Sequence, residues 1–314
     1  MTSVIFLGTP QFAVPVLEGL LAKNYEVKAV VTQPDKAVGR KRVLTASPVK
    51  ECALKHDLPV YQPAKLSGSD ELAELKAMEA DFLITAAYGQ FLPTSFLKSA
   101  KVAAVNVHGS LLPKYRGGAP IQYALWNGDK ETGVTIMEMV KEMDAGDMFA
   151  QAKLPIEATD NAGTIFEKMS YLGRDLLLET LPKILDGSVH KVPQDTTKVV
   201  FSPNISKEQE KLTLDLTAKE AENHVRALNP NPGAYFMVEG SRMKVWEAQA
   251  IDETTDLQPG SLVKNDGVFY VAMAQGTVLA LKNIQPNGKK PMPVKAFVNG
   301  YGKKFAIGEK LIDE

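Results

Sequence analysis

Asn106-Val107-His108 closes an apolar run that reads as a buried strand over residues 102–107. Successive strand side chains alternate faces, so Asn106 and His108 point the same way while Val107 packs behind them. A carboxamide can donate N–H to a developing oxyanion, and an imidazole can donate when charged or take a proton when neutral. The alternative for such a pair is a strand end whose polar side chains are satisfied by local backbone. Further on, Gly117-Gly118 lets the main chain pass close to a ligand. Met143-Asp144-Ala145-Gly146-Asp147 then places a carboxylate in a tight turn, a setting that is also common for ordinary surface aspartates. A metal is not part of this chemistry. The four histidines are scattered at 56, 108, 190 and 224, and Cys52 is the sole cysteine, so neither a ligand cluster nor an intramolecular disulfide is expected. Cys52 sits among Val49, Ala53 and Leu54 and reads as packing.

The elements that must position these groups alternate as parallel sheets do. Val4 to Leu7 is a continuous apolar strand closed by Gly8, followed by helical spacing over residues 12–22 with Pro15 near the first turn. Residues 27–31 form a second strand, and Ser47-Pro48 caps a helix to about His56. Residues 82–86 and 102–107 are further buried strands, Pro120 opens a helix through Trp126, residues 132–139 are a strand, and a helix runs over 164–185. Unalternating apolar strands separated by helices predict an α/β domain with a doubly wound, mostly parallel sheet, whose site lies beyond the carboxyl ends of its strands. Gly8-Thr9-Pro10-Gln11 lacks the G-x-G-x-x-G pattern, which argues against a dinucleotide site. From about residue 207 the character changes. One helix, 217–228, precedes short β-rich pieces punctuated by Asn229-Pro230-Asn231-Pro232-Gly233, Gly240-Ser241, Pro259-Gly260 and Asn287-Gly288, which predicts a small, OB-like β-barrel. The expected division is a catalytic domain over 1–189, a linker over 190–206 and a C-terminal barrel over 207–314.

Asn106-x-His108-x-Ser110-Leu111-Leu112-Pro113-x-Tyr115-Arg116-Gly117, with Asp144-x-Gly146 downstream, resembles the folate-dependent formyltransferases. The resemblance implies a Rossmann-like formyltransferase domain in which Asn106, His108 and Asp144 are the catalytic trio. It further implies that a neutral amine attacks the formyl group on N10 of 10-formyltetrahydrofolate through a tetrahedral oxyanion. Asn106 would hold the formyl oxygen, His108 would donate to the same oxygen, and Asp144 would keep His108 charged and order the water that carries the proton. Tyr88, Gly89, Gln90, Phe91 and Leu92 match a loop that cradles the pterin mostly through backbone groups, and Ser110, Leu111, Leu112 and Pro113 match its other wall.

The acceptor is suggested by stretches outside this motif. Phe6-x-Gly8-Thr9-Pro10-x-Phe12-Ala13, Gln33-Pro34-Asp35-Lys36, Leu228-Asn229-Pro230 and Gln285-Pro286-x-Gly288-Lys289-Lys290-Pro291-Met292 resemble the branch of the family that formylates methionine on initiator methionyl-tRNA. Tyr235 and Asn231 depart from that pattern, where tryptophan is frequent, and imply weaker packing or stacking there. Charge gives partly independent support. Lys36, Arg40, Lys41 and Arg42 are the four bases of an acid-free loop between a strand and a helix, and residues 267–308 hold six lysines, Lys289 and Lys290 among them, without one Asp or Glu. A local basic surface on a small barrel suits an oligonucleotide, so these six named residues are the expected tRNA contacts. The rivals are a formyltransferase acting on a nucleotide sugar, which would need no basic barrel, and a non-catalytic tRNA-binding protein, which would need no trio.

Composition bounds the rest. The chain has 314 residues, 45% hydrophobic and 23% charged, which is ordinary for a soluble globular protein of about two domains. No apolar run reaches the ~20 residues of a membrane span, and the opening MTSVIFLGTPQF reads as a strand and not as a signal peptide, so a cytoplasmic monomer with no membrane partner is expected. The net charge of −1 implies few phosphate contacts.

Overall fold

The structure, a computed structural model, describes residues 1–39 and 41–313. They form two compact units. Residues 1–120, 131–155 and 166–202 make the first, and residues 121–130, 156–165 and 203–314 the second.

To residue 202 the chain runs β1 (Ser3–Gly8), α1 (Val14–Ala22), β2 (Glu26–Val31), β3 (Lys36–Val38), β4 (Val43–Thr45), α2 (Pro48–Lys55), β5 (Val60–Tyr61), α3 (Asp70–Ala77), β6 (Phe82–Ala86), α4 (Thr94–Leu97), β7 (Ala103–His108), β8 (Lys114–Arg116), α5 (Pro120–Trp126), β9 (Glu131–Glu138), β10 (Met148–Pro155), α6 (Ala162–Leu185) and β11 (Val200–Phe201). The main sheet has the order β10-β9-β7-β6-β1-β2-β5. The five strands from β7 to β5 are parallel, and β9 and β10 extend the sheet antiparallel beyond β7. Every residue of β1 and β6 is buried, which is why these strands read as unbroken apolar runs. From β1 the chain lays strands first to one side (β2, β5) and then to the other (β6, β7), the reversal at which doubly wound sheets hold their ligands. Ser47 caps α2 as its spacing predicts: its Oγ accepts from the Lys50 N–H at 3.1 Å, with Pro48 at the first helical position.

Within the stretch expected to be a loop, 36–42, Lys36–Val38 form β3 instead, which pairs with β4 in a hairpin so that Lys36 meets Thr45 and Val38 meets Val43. All six of its strand residues are exposed, so no buried face marks it in the sequence. Residues 190–202 run along the first unit: Val192 bridges Met148, and β11 pairs with β8.

The second unit continues with α7 (Ala218–Leu228), β12 (Ala234–Val238), β13 (Ser241–Thr254), β14 (Leu262–Lys264), β15 (Phe269–Ala272), β16 (Thr277–Pro286), β17 (Met292–Pro293), α8 (Val294–Asn299) and β18 (Ile312–Asp313). Its antiparallel sheet, β14-β15-β16-β13-β12-β18, curls into a half-barrel. Bonds from Leu262 N–H to the Glu309 carbonyl and from Leu311 N–H to the Gly260 carbonyl, both 2.9 Å, draw its edges together. Inside lie Phe236, Val245, Phe269, Leu281, Ile284 and Phe297. Thr217 and Glu220 form a capping box at the start of α7. Tyr235, where tryptophan was the expected residue, is buried with the Arg242 guanidinium 4.4 Å from its ring centre. Within the same unit His224 on α7 stacks on Trp126 at 4.0 Å between ring centres. Burial pushes this imidazole down to about 4, and its Nε2–H donates to the Gln209 carbonyl at 2.7 Å. Among the described residues no helix is long and apolar enough to cross a membrane.

Candidate active site

Asn106 and His108 stand on one face of β7 at its carboxyl end, in register with Thr85 of β6 and Thr135 of β9 respectively. The Thr85 hydroxyl lies 3.0 Å from Asn106 Oδ1 and donates to it, so the amide's NH₂ end faces away from Thr85. His108 is buried, and both ring nitrogens face acceptors. Nε2 is 2.9 Å from the Tyr115 carbonyl and Nδ1 is 3.6 Å from Asp144 Oδ1. A doubly protonated ring donates toward both, whereas a neutral ring can donate to only one. The second distance is that of an ion pair longer than a hydrogen bond, which leaves Nδ1–H uncommitted. The alternative of a pair satisfied locally holds for one side of the imidazole only, because the other side meets a carboxylate 36 positions away in the chain.

Asp144 occupies the turn between β9 and β10 with φ +52°, in the left-handed region that is uncommon for a residue with a Cβ. Its Oδ2 accepts from the Gly117 N–H at 2.9 Å. Both glycines of the motif are sterically required. A Cβ on Gly117 would stand 2.5 Å from the Ser202 carbonyl oxygen, and one on Gly146 would run into the Glu138 carbonyl.

The two walls expected to hold the pterin differ in how they are built. Ser110 is fully buried, and its Oγ donates to the Tyr115 carbonyl at 3.2 Å; the Leu112–Pro113 peptide is cis. Thr135 Oγ1 donates to the Ser110 carbonyl at 2.6 Å and accepts from the Leu112 N–H at 3.1 Å and from Gln151 Nε2 at 2.9 Å, while Gln151 also donates to the Leu112 carbonyl. Thus two polar side chains on neighbouring strands, neither singled out by the sequence, fix the backbone of residues 110–112. On the other wall Tyr88 turns its ring into the core, and burial raises its phenol to about 12. Gln90 is tied to the backbone of Pro63, Ala64 and Leu66. Leu92 packs against the same core as Tyr88, and Phe91 is 73% exposed. Gly89 has φ +87°, and a Cβ there would meet only Gln33 Nε2 at 3.9 Å, so the space in front of its backbone is open.

Of the basic residues, Lys36 lies on β3 and Lys41 and Arg42 in the hairpin turn, all three exposed; Arg40 lies outside the described residues. At the hairpin's base Asp35 accepts from Gln62 and Lys50 at 2.8 Å each, and these two bonds hold its carboxyl below the usual range. Lys289 and Lys290 are exposed in the turn between β16 and β17. Among the described residues no group of three or more His, Cys, Asp and Glu side chains could hold a metal ion.

An amide, an imidazole and a carboxylate gathered at the carboxyl end of a doubly wound sheet lie where such folds hold their ligands, and groups of these types can stabilise charge on a carbonyl oxygen. The family model of formyl transferase matches residues 1–181, and that of the formyl transferase C-terminal domain matches residues 204–302. The chain belongs to the formyl transferase family. It is 67% identical over 314 residues to a methionyl-tRNA formyltransferase of Lactobacillus johnsonii, covering all of both chains. Among solved structures, an N-formyltransferase of Helicobacter canadensis in complex with folinic acid and dTDP-3-aminofucose matches with a TM-score of 0.70 at 18% identity, over 91% of this chain and 100% of that one. A HypX variant from Aquifex aeolicus matches with a TM-score of 0.66 at 18% identity over 97% of this chain, which spans half (50%) of that protein's length. These two likenesses are of fold.

Proposed function

We propose that this chain formylates the amino group of methionine on initiator methionyl-tRNA, with 10-formyltetrahydrofolate as donor. The observation that carries the reading is the meeting of His108 and Asp144 at 3.6 Å beside Asn106. Full-length identity of 67% to a protein named for that reaction supports the choice of acceptor. The donor fits the two walls. A pterin is a flat ring with an amide-like hydrogen-bonding edge; the backbone at Gly89 is open to such an edge, and Thr135 and Gln151 hold the backbone of residues 110–112 in one shape as the second wall. When bound, 10-formyltetrahydrofolate supplies an activated formyl group on N10. Asn106 donates its amide N–H to the formyl oxygen as charge builds there. His108 donates from Nδ1–H, the ring position not committed to a hydrogen bond. Asp144 balances the imidazolium and orders the water that carries the proton from the attacking amine to N10, as the bond from the amine to the formyl carbon forms and the bond from that carbon to N10 breaks. Loss of one oxyanion donor costs on the order of 10²–10³ in kcat.

The first unit acts as the catalytic domain. The half-barrel acts as the tRNA-binding domain through Lys289 and Lys290, and Lys36, Arg40, Lys41 and Arg42 contact the acceptor end. The protein works as a monomer in the cytoplasm. Formyl transfer assayed in parallel with charged initiator tRNA, free methionine and an amino-sugar nucleotide tests the reading. Product on charged tRNA alone is expected; product on the sugar nucleotide alone overturns it.

A further inference from the structure

Gln194 lies on the stretch that precedes β11 and is 9% exposed. Both ends of its amide are fully engaged. Nε2 donates to the carbonyls of Asp144 and Gly146, at 2.8 Å each, and Oε1 accepts from Arg116 Nε at 3.0 Å and Nη2 at 2.8 Å. The two N–H bonds of one planar group thus span the i and i+2 carbonyls of the turn that carries Asp144. The oxygen anchors this clamp to β8, one residue before Gly117, whose N–H holds the Asp144 carboxylate itself. Asp144 needs such a clamp, because left-handed backbone at a non-glycine residue persists only where its surroundings impose it.

We infer that Gln194 is a positioning residue for formyl transfer: it fixes the backbone of the Asp144 turn so that the carboxylate stays against His108 Nδ1. The inference rests on the reading of Asp144 as catalytic. Gln194 itself bonds to two main-chain carbonyls and a guanidinium and acts only through Asp144. Three features separate this role from general support. The clamp grips the catalytic residue's own carbonyl, it is directional, and its donor end has no substitute in a carboxylate of the same size. Gln194→Glu keeps the side-chain volume and an acceptor for Arg116 but sets oxygen against two carbonyl oxygens, releasing the turn.

The test is a cycle of Gln194→Glu, Asp144→Asn and the double variant, with kcat and KM measured for folate and charged tRNA and thermal unfolding followed alongside. Since a misplacement of about 1 Å can cost ~10²-fold, Gln194→Glu should lower kcat by about 10- to 100-fold and leave both KM values within about threefold. On the Asp144→Asn background the same change should cost less than about twofold, because the group being positioned is already gone. A role in stability alone would lower kcat equally on both backgrounds in proportion to the melting shift, and that outcome overturns the inference. Wild-type turnover in Gln194→Glu beside a disabled Asp144→Asn overturns it too, leaving the proposed function standing. Full turnover in Asp144→Asn removes the catalytic reading and the inference together.

Discussion

Replacing Asp144 by asparagine removes one negative charge and little else, since an amide oxygen can still accept from the Gly117 N–H. The magnitude follows from the geometry. Opposite unit charges at the observed 3.6 Å interact by about 1 kcal/mol in bulk water and about 5 kcal/mol at an effective dielectric constant of ~20. His108 and Asp144 are 6% and 14% exposed, so the larger figure is nearer. At about 1.4 kcal/mol per factor of ten, the charge is worth between roughly tenfold and roughly 10³-fold in the rate of formyl transfer, with about 10²-fold or more expected. In the proposed mechanism Asp144 acts through His108, so His108→Ala should cost at least as much, and adding Asp144→Asn to His108→Ala should cost little further. Single-turnover transfer of labelled formyl to charged tRNA, with saturating folate, isolates the chemical step from binding and release. Turnover of Asp144→Asn within threefold of the parent, or losses that multiply in the double variant, would refute the reasoning.

Two further perturbations address the second unit. The His224 imidazole titrates near 4 in the fold and near 6.5 when unfolded, so the unfolded chain gains the proton first as pH falls; stability is intact above pH ~6.5 and is lost toward pH 4, by about 3 kcal/mol. Urea unfolding at pH 7.5 and 4.5 should therefore show a smaller acid loss in His224→Phe than in the parent, and equal losses would contradict this. Lys289→Ala and Lys290→Ala should each flatten the dependence of log affinity for tRNA on log salt by about one unit, without regard to tRNA sequence and with folate KM unchanged. Lys41→Ala/Arg42→Ala should lower kcat as well as raise KM for tRNA, and a change confined to the folate KM would move that hairpin to the donor site.

What was legible in the sequence was whatever a short window can encode. The strands of the first unit are buried on both faces and so appear as apolar runs at Val4 to Leu7 and Phe82 to Ala86. Ser47 and Pro48 announce α2 because a cap acts within three residues. The shared face of Asn106 and His108 follows from a period of two. The β3–β4 hairpin has the sequence of a loop because its strand residues are all exposed and no alternation toward a core survives. Residues 190–206 have the polar, proline-bearing composition of a linker, yet Gln194 bonds to residues 48, 50 and 78 positions away. No local pattern records a partner at that distance. The same holds for Thr135, 25 positions from the Ser110 carbonyl it binds.

The residues that escaped the sequence share one property. Thr85, Thr135 and Gln194 are buried, uncharged polar side chains that bond to Asn106, to the backbone of Ser110 and Leu112, or to the turn at 144–146 and Arg116. Such groups can be buried at low cost only when their hydrogen bonds are made, which ties their identity to the geometry they hold. The groups proposed to react, by contrast, must keep part of their bonding capacity for the substrate: the NH₂ end of Asn106 and Nδ1–H of His108. A site of this kind therefore divides into side chains with bonding capacity to spare and side chains with none. The second set is where substitutions that never touch substrate should still alter kcat.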